Sequence, residues 1–383
     1  MKAMILAAGK GTRVRPLTSV MPKPMIPLVR KPVMESIIEH LARHGFDEIY
    51  INTSYLSGHI ENYFRDGDRF GVEIAYSYEG ELENGEFIDK PIGSAGGMRR
   101  IQDFCRFFDQ SFVVLCGDAL IDVDLKAVID SHRRSGAIAS IVTRSVPREE
   151  VSKYGVVVTD DTGRVLRFQE KPSIAEAAST EINTGIYVFE PAIFDHIPAG
   201  QEYDIGGQLF PDLIRKGLPV HAVSLPFQWV DIGSVVDFWN ATRLALTGQV
   251  QGFRLPGREI RPGIRAGLGV RANWDRIHVS GPVYIGSGAS IGDGAQITGP
   301  TLIGSNCVIE AGAVVRESIL DDYTRVSSAA NVSDSIVFAG KLIDPYGASV
   351  DINDADIGWL LDDARRQVMH DPVYEALREA ASP

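Results

Sequence analysis

Through roughly the first 240 residues, short apolar runs alternate with stretches whose apolar positions recur at helical spacing, the pattern of a doubly wound α/β sheet. Residues 3–8 form an apolar run suited to a buried parallel strand. Residues 33–44 place Ile37, Ile38 and Leu41 on one helical face, and Gly45 supplies the stop. A strand over 48–52, a helix containing 60–64 and a strand over 72–78 continue the order of a nucleotide-binding half. The polar segment GELENGEFID, between Glu79 and Lys90, breaks the alternation and predicts a hairpin or loop insertion.

Near residue 280 the period changes. Ile285, Ile291, Ile297, Ile303, Ile309 and Val315 recur every six residues, and the small side chains Ala289, Ala295, Thr301, Cys307 and Ala313 follow four positions behind. Helices and hairpins do not produce this interval; a hexapeptide-repeat left-handed parallel β-helix does, with the aliphatic stack filling its interior. The signal fades after Leu320, where Val332 and Ile336 suggest one irregular coil more. The expected organisation is an α/β domain over 1–245, a linker over 246–275 marked by Pro256, Pro262 and several glycines, the β-helix over 276–345, and a helical tail over 351–383. In that tail Ile357, Leu360, Leu361, Ala364 and Val368 share a face. So few coils leave open ends, so a homo-oligomer formed through the β-helix or the tail helix is expected.

Composition narrows the partners. A length of 383 residues suits two domains, and a net charge of −12 with no basic, aromatic-interleaved cluster argues against nucleic acid. No apolar run is long enough to span a bilayer and Met1 leads directly into the first strand, so no membrane association and a cytoplasmic location are expected. Cys105, Cys116 and Cys307 have neither disulfide nor zinc spacing and read as reduced thiols.

The chemistry concentrates in residues 4–27, MILAAGKGTRVRPLTSVMPKPMIP. Gly9 and Gly11 allow a tight turn whose N–H groups face an anion, while Arg13, Arg15 and Lys23 bring positive charge. Val14 stands where a dinucleotide fingerprint needs its third glycine, and no Gly-Lys-Ser/Thr closes a Walker A loop. Two glycines alone would read as an ordinary strand-to-helix turn. The whole string, with Lys23 held between Pro22 and Pro24, reads as a triphosphate cradle. Asp118 and Asp231 each end an apolar run, where open α/β sheets bind ligands, and two such carboxylates suit one Mg²⁺. Asp118 alone could equally cap a helix, and Asp122 and Asp124 read as capping or surface residues. Residues 91–97 (PIGSAGG) put small side chains at a helix start, permitting close approach of a flat ring or a phosphate. Gly155 leaves room beside a strand, Glu170-Lys171 pairs a hydroxyl acceptor with a cation, and Asn183-Thr184-Gly185 presents short polar groups before another strand.

In this order the motifs resemble those of the sugar-1-phosphate nucleotidylyltransferases, the NDP-sugar pyrophosphorylases, across essentially the whole chain. The resemblance implies a Rossmann-like, GT-A-like nucleotidyltransferase domain joining a nucleoside triphosphate to a hexose 1-phosphate. It implies Arg13, Lys23 and Asp118 as catalytic residues and Ala8, Gly9, Gly11, Thr12, Arg13, Lys23, Gly93, Ser94 and Ala95 as nucleotide-binding. It further implies Gly155, Glu170, Lys171, Asn183, Thr184 and Gly185 as sugar-phosphate-binding, and Asp118 and Asp231 as ligands of Mg²⁺. The PKP form around Lys23 is similar to solenoid-bearing mannose-1-phosphate guanylyltransferases, whereas the full-length pattern is similar to a cyanobacterial group that includes UDP-glucose pyrophosphorylases. UTP with glucose 1-phosphate is therefore the first expectation, and GTP with mannose 1-phosphate the second. A catalytically inactive regulatory homologue is the reading from another class, and retention of Arg13, Lys23, Asp118 and Asp231 speaks against it. An acyltransferase site on the solenoid ranks low, because residues 280–320 contain no histidine.

Overall fold

The computed structural model describes residues 1–366, with Glu86 and Phe87 described by their backbone only. The chain divides into two compact units. Met1–Gly11, Met21–Ile26 and Pro32–Asp231 make the first; Thr12–Val20, Pro27–Lys31 and the described chain from Ile232 onward make the second.

The first unit is built on a nine-stranded sheet. Its strands are β1 (Lys2–Leu6), β2 (Glu48–Thr53), β3 (Glu73–Tyr78), β4 (Phe112–Cys116), β5 (Ala139–Ser145), β6 (Val156–Thr159), β7 (Val165–Gln169), β8 (Glu181–Phe189) and β9 (Val220–Ser224). Along the main path the order is β7-β6-β8-β4-β1-β2-β3, and β5 pairs with β8 and β9. β4, β1, β2 and β3 run parallel, while β8 enters antiparallel beside β4. β1 shows why its sequence reads as a continuous apolar run. Ala3 and Ile5 join one core, formed with Ile37, Leu41, Ile60 and Phe64 from helices α1 (Val33–Arg43) and α2 (Ser57–Phe64). Met4 joins the opposite core with Met98 and Ile101 of α3 (Ser94–Cys105), Phe210 and Leu213 of α5 (Phe210–Arg215), and Phe108, Phe112, Phe189 and Phe194. Helix α4 (Leu125–Ser135) adds Val128 and Ile129 to the first core, so both faces of the sheet are covered, as parallel strands require. The segment 80–89 is a hairpin of Gly80–Glu83 and Glu86–Asp89 with Asn84 and Gly85 at its tip.

The second unit is a parallel β-helix whose three sheets climb together. Ile285 pairs with Ile303, and Ile297 with Val315, eighteen residues on. From the next coil the step shortens to seventeen, with Leu302 opposite Ile319 and Val315 opposite Val332. One lost residue per coil explains why the six-residue signal fades after Leu320 although the solenoid continues.

At three places the structure groups the chain differently from the sequence-based boundaries. The α/β unit ends at Asp231, and α6 (Val235–Leu246) belongs with the solenoid, where its Arg243 meets Glu317 at 2.8 Å. The expected linker over 246–275 contains strands Arg258–Arg261, Ile264–Ala266 and Arg271–Ala272, and Ile264 lies opposite Val283. Its glycines, including Gly257, Gly263 and Gly269 at φ near +70°, turn the corners of the first coils. The tail helix is absent over the described part of 351–383. Asp351 accepts from the N–H groups of Asn353 and Asp354 and starts a series of turns, and Leu361–Asp363 pairs antiparallel with Thr324–Val326. Ile352 and Leu361 still reach the solenoid core, with Ile357 and Leu360 packed against it, from turns and an edge strand rather than from one helical face. Val368 and the rest of the expected tail lie outside the described residues.

Candidate active site

The strand order reverses between β1 and β4, and ligands of open α/β sheets bind outside the carboxyl ends of strands at such a point. Leu6 lies opposite Cys116, and Gly117 donates its N–H to the Leu6 carbonyl at 2.9 Å. The turn after β1, carrying Ala8, Gly9 and Gly11, and the Gly117-Asp118 turn after β4 therefore leave the sheet side by side. Gly117 is tightly enclosed: an added Cβ would lie 3.1 Å from both Ile5 and the Leu6 carbonyl.

Asp231 arrives from far along the chain. A short strand β10 (Trp229–Asp231) pairs antiparallel with Ala119–Ile121, setting Asp231 opposite Ala119 and so next to Asp118. Asp122 ties the same two strands, accepting from the Gln228 N–H at 2.5 Å, and Asp124 caps α4. Lys23, on the turn Lys23–Met25 after Pro22, places its ammonium 2.5 Å from Asp118 and 4.0 Å from Asp231. Its side chain is only 11 % exposed. Burial opposes that charge, but Asp118, then Asp231, outweigh it and hold the pKa above its ordinary value, so Lys23 is an ammonium at neutral pH. The neighbouring Cys116 thiol is pushed up by burial, then by Asp118, and stays protonated.

The two carboxylates converging on this ammonium are hard oxygen donors, the kind a hard divalent metal ion requires. Among the described residues no group of three or more His, Cys, Asp or Glu side chains could hold a metal by itself, so the remaining ligands of such an ion would be phosphate oxygens and water.

Residues 91–95 lead into α3. Gly93, at φ +77°, begins α3, and an added Cβ would lie 2.5 Å from the Tyr203 carbonyl oxygen. Tyr203 exchanges backbone hydrogen bonds with Ile92 and Gly96. Ser94 donates to Asp204 at 2.7 Å and accepts from the Ile205 N–H. The Ala95 methyl is buried in the core with Met4 and Met98.

The third group gathers near Asp204. Glu170 lies beside Gly155 and Gly206: an added Cβ would come within 3.2 and 2.8 Å of its Oε2. Lys171 is exposed at φ +43° with its ammonium 3.3 Å from Glu170. Asn183 donates its backbone N–H to the Gly155 carbonyl, accepts from the Gly185 N–H and donates its side-chain amide to the Tyr187 hydroxyl. Gly185 is required twice over, by φ +75° and by the Cys116 sulfur 2.6 Å from any added Cβ. Thr184 does not join this group, because its buried hydroxyl donates to the Val142 carbonyl. Thr12 and Arg13 are exposed on the turn Thr12–Val14 in the second unit, whose Val14 is buried.

Asn52, Glu79 and Asp204, which bond to Ala7, Asn52 and Ser94 respectively, were not singled out from the sequence. Asp204 carries a readable signal, an aspartate before Ile-Gly-Gly that caps the following helical turn. Asn52 and Glu79 sit at strand ends with no local signature.

The fold is thus a mixed α/β sheet that sets one lysine and two carboxylates together at its switch point. The sequence profile of the nucleotidyl transferase family matches residues 2–248 and that of the GMPPB C-terminal domain matches residues 279–351. The chain belongs to the nucleotidyl transferase family, which is typically metal-dependent. Over 380 residues it is 55% identical to a UTP–glucose-1-phosphate uridylyltransferase from Synechocystis sp., covering 99% of this chain and 98% of that one. Over 316 residues it is 30% identical to a mannose-1-phosphate guanylyltransferase from Mycobacterium tuberculosis, covering 82% of each. A UDP-glucose pyrophosphorylase solved with UDP-glucose matches at a TM-score of 0.52 and 22% identity, over 63% of this chain and 96% of that one, a likeness of fold. No helix among the described residues is long and apolar enough to cross a membrane.

Proposed function

We propose that this protein transfers a nucleotidyl group from a nucleoside triphosphate to a hexose 1-phosphate, releasing pyrophosphate, and that its preferred pair is UTP and glucose 1-phosphate. The observation that carries the reading is the placement of Lys23 between Asp118 and Asp231 at the switch point. The full-length likeness to the Synechocystis uridylyltransferase favours the substrate pair. A second reading, GTP with mannose 1-phosphate, is favoured by the GMPPB-type C-terminal match and the mycobacterial relative.

An oxygen of the hexose 1-phosphate attacks the α-phosphorus in line with the α–β bridging oxygen. The new P–O bond forms as the bridging bond breaks, and its electron pair leaves on pyrophosphate. The attacking phosphate is already largely ionised near neutral pH, so the site needs no general base. What it must supply is alignment and positive charge. Gly9 and Gly11 offer backbone N–H groups to the triphosphate, and Lys23 neutralises charge that grows on the leaving group. Mg²⁺, held by Asp118 and Asp231, would supply further neutralisation of phosphate oxygens when bound. Gly93 and Ser94 border the base, while Gly155, Glu170, Lys171, Asn183 and Gly185 hold the hexose phosphate, Glu170 accepting from hydroxyls and Lys171 meeting the phosphate.

The test is pyrophosphate release with Mg²⁺ for UTP, GTP, dTTP and ATP, each paired with glucose 1-phosphate and mannose 1-phosphate. UTP with glucose 1-phosphate is expected to give the highest kcat/KM. Preference for GTP with mannose 1-phosphate would select the second reading, and silence of folded protein with all eight pairs would reject both.

A further inference from the structure

Beneath the two loops assigned to the nucleotide lies a buried polar chain that neither loop contains. The Ala7 N–H, where β1 passes into the glycine turn, donates to Asn52 Oδ1 at 2.8 Å. Asn52 Nδ2 donates to Glu79 Oε1 at 2.7 Å, and the Ile92 N–H donates to Glu79 Oε2 at 3.1 Å. Asn52 is 3% exposed and Glu79 is 1% exposed. A carboxylate this deep in the protein is costly unless its oxygens are engaged, and here both accept. Room for it comes from α3: a Cβ added at Gly97 would lie 2.4 Å from Glu79 Oε1 and 3.2 Å from Asn52 Nδ2. The Glu79 backbone is fixed as well, its carbonyl accepting from Ser54 Oγ at 2.9 Å and from the Lys90 N–H at 3.1 Å. That last bond closes the base of the 80–89 hairpin, so the chain resumes at residues 91–95 from a fixed point.

We propose that Asn52 and Glu79 are positioning residues for the nucleoside triphosphate, setting the phosphate turn and the loop 91–95 at a fixed separation. The inference rests on the reading of these two loops given above. Neither side chain touches the reacting atoms. The pair acts through Ala7 and Ile92, which precede Gly9 and Gly93, and its order of donors and acceptors is directional. Ala7 and Ile92 can only donate, so the chain between them needs an acceptor at each end and one donor–acceptor contact in the middle. Asparagine followed by glutamate satisfies that order.

The same order is satisfied by exchanging the two groups, which provides the test. Glu79→Gln leaves one acceptor oxygen for two N–H donors. Asn52→Asp sets two carboxylates against each other. In the double variant the aspartate accepts from Ala7 and from the new amide, whose oxygen accepts from Ile92, restoring three bonds with one carboxylate. UTP affinity is read by calorimetry with Mg²⁺ and no hexose phosphate, and KM for each substrate and kcat by pyrophosphate release, with Tm as the folding control. Each single variant is expected to weaken UTP binding and raise its KM about tenfold, the scale of a broken buried hydrogen bond, while KM for the hexose phosphate moves less than about threefold. The double variant is expected to recover to within about threefold of the unmodified protein, as a coupled pair does. Single variants with unchanged UTP affinity, or a double variant no better than the worse single one, would overturn the proposal even in an active enzyme. An unmodified protein that binds UTP yet turns over no pair would instead reject the proposed function.

Discussion

At the residue scale, the site is made by side chains whose neighbours leave them few alternatives. Lys23 is held by two carboxylates against the cost of burial, and Glu170 occupies a space that exists because residues 155 and 206 have no side chain. Gly155→Ala tests the second arrangement. The added methyl would lie 2.5 Å from the buried Phe168 ring and 3.2 Å from Glu170, so the ring and the carboxylate must move. Steady-state kinetics should show KM for the hexose phosphate rising about tenfold, with KM for the nucleotide nearly unchanged, since overpacking of this kind costs about 1–3 kcal/mol. An equal rise in both would detach Glu170 from the sugar side. The candidate cluster of Lys23, Asp118 and Asp231 was legible in the sequence, because Pro-Lys-Pro and two strand-ending aspartates each carry chemistry in a short string. Thr184 shows the limit: a threonine in a polar tripeptide reads as a ligand group, and only the sheet reveals that Val142 takes its hydroxyl.

At the element scale, period decided what could be read. Strand β1 and helix α1 follow their apolar spacing closely, whereas Ile357, Leu360 and Leu361 have helical spacing without a helix, because Asp351 and its neighbours bond the backbone into turns. Helix α1 also carries a pH dependence. His40 Nε2 donates to the Val123 carbonyl at 2.8 Å, and burial, then His44, lower its pKa to about 4. Unfolded histidine titrates near 6.5, so between about 6.5 and 4 the unfolded chain takes up a proton that the folded one refuses. Stability from this group is complete above pH 6.5 and falls as pH drops toward 4. Urea unfolding at pH 7 and pH 5 should show a loss that His40→Gln reduces by about 2 kcal/mol. An identical loss in the variant would place the acid sensitivity elsewhere.

At the scale of the whole molecule, an acidic chain of net charge −12 keeps a buried lysine, Lys23, where the sheet order reverses. The fold class and the solenoid were both readable from alternation and from the six-residue period. The division into units was not, because Thr12–Val20 and Pro27–Lys31 leave the first unit in the middle of the signature motif and join the unit that contains the solenoid. Arg30 anchors one of these segments there by donating to Ser305. Such long-range membership leaves no trace in local spacing.

The most direct measurement of the central claim is pyrophosphate release from UTP and glucose 1-phosphate by the unmodified protein and by Lys23→Ala, side by side, with Tm recorded for both. The unmodified protein should turn over only with the metal present, and the variant should lose at least about a hundredfold in kcat/KM, the scale of one lost charge-stabilising group, with little change in Tm. Turnover by Lys23→Ala close to that of the unmodified protein would contradict the assignment of this switch-point cluster as the reacting centre.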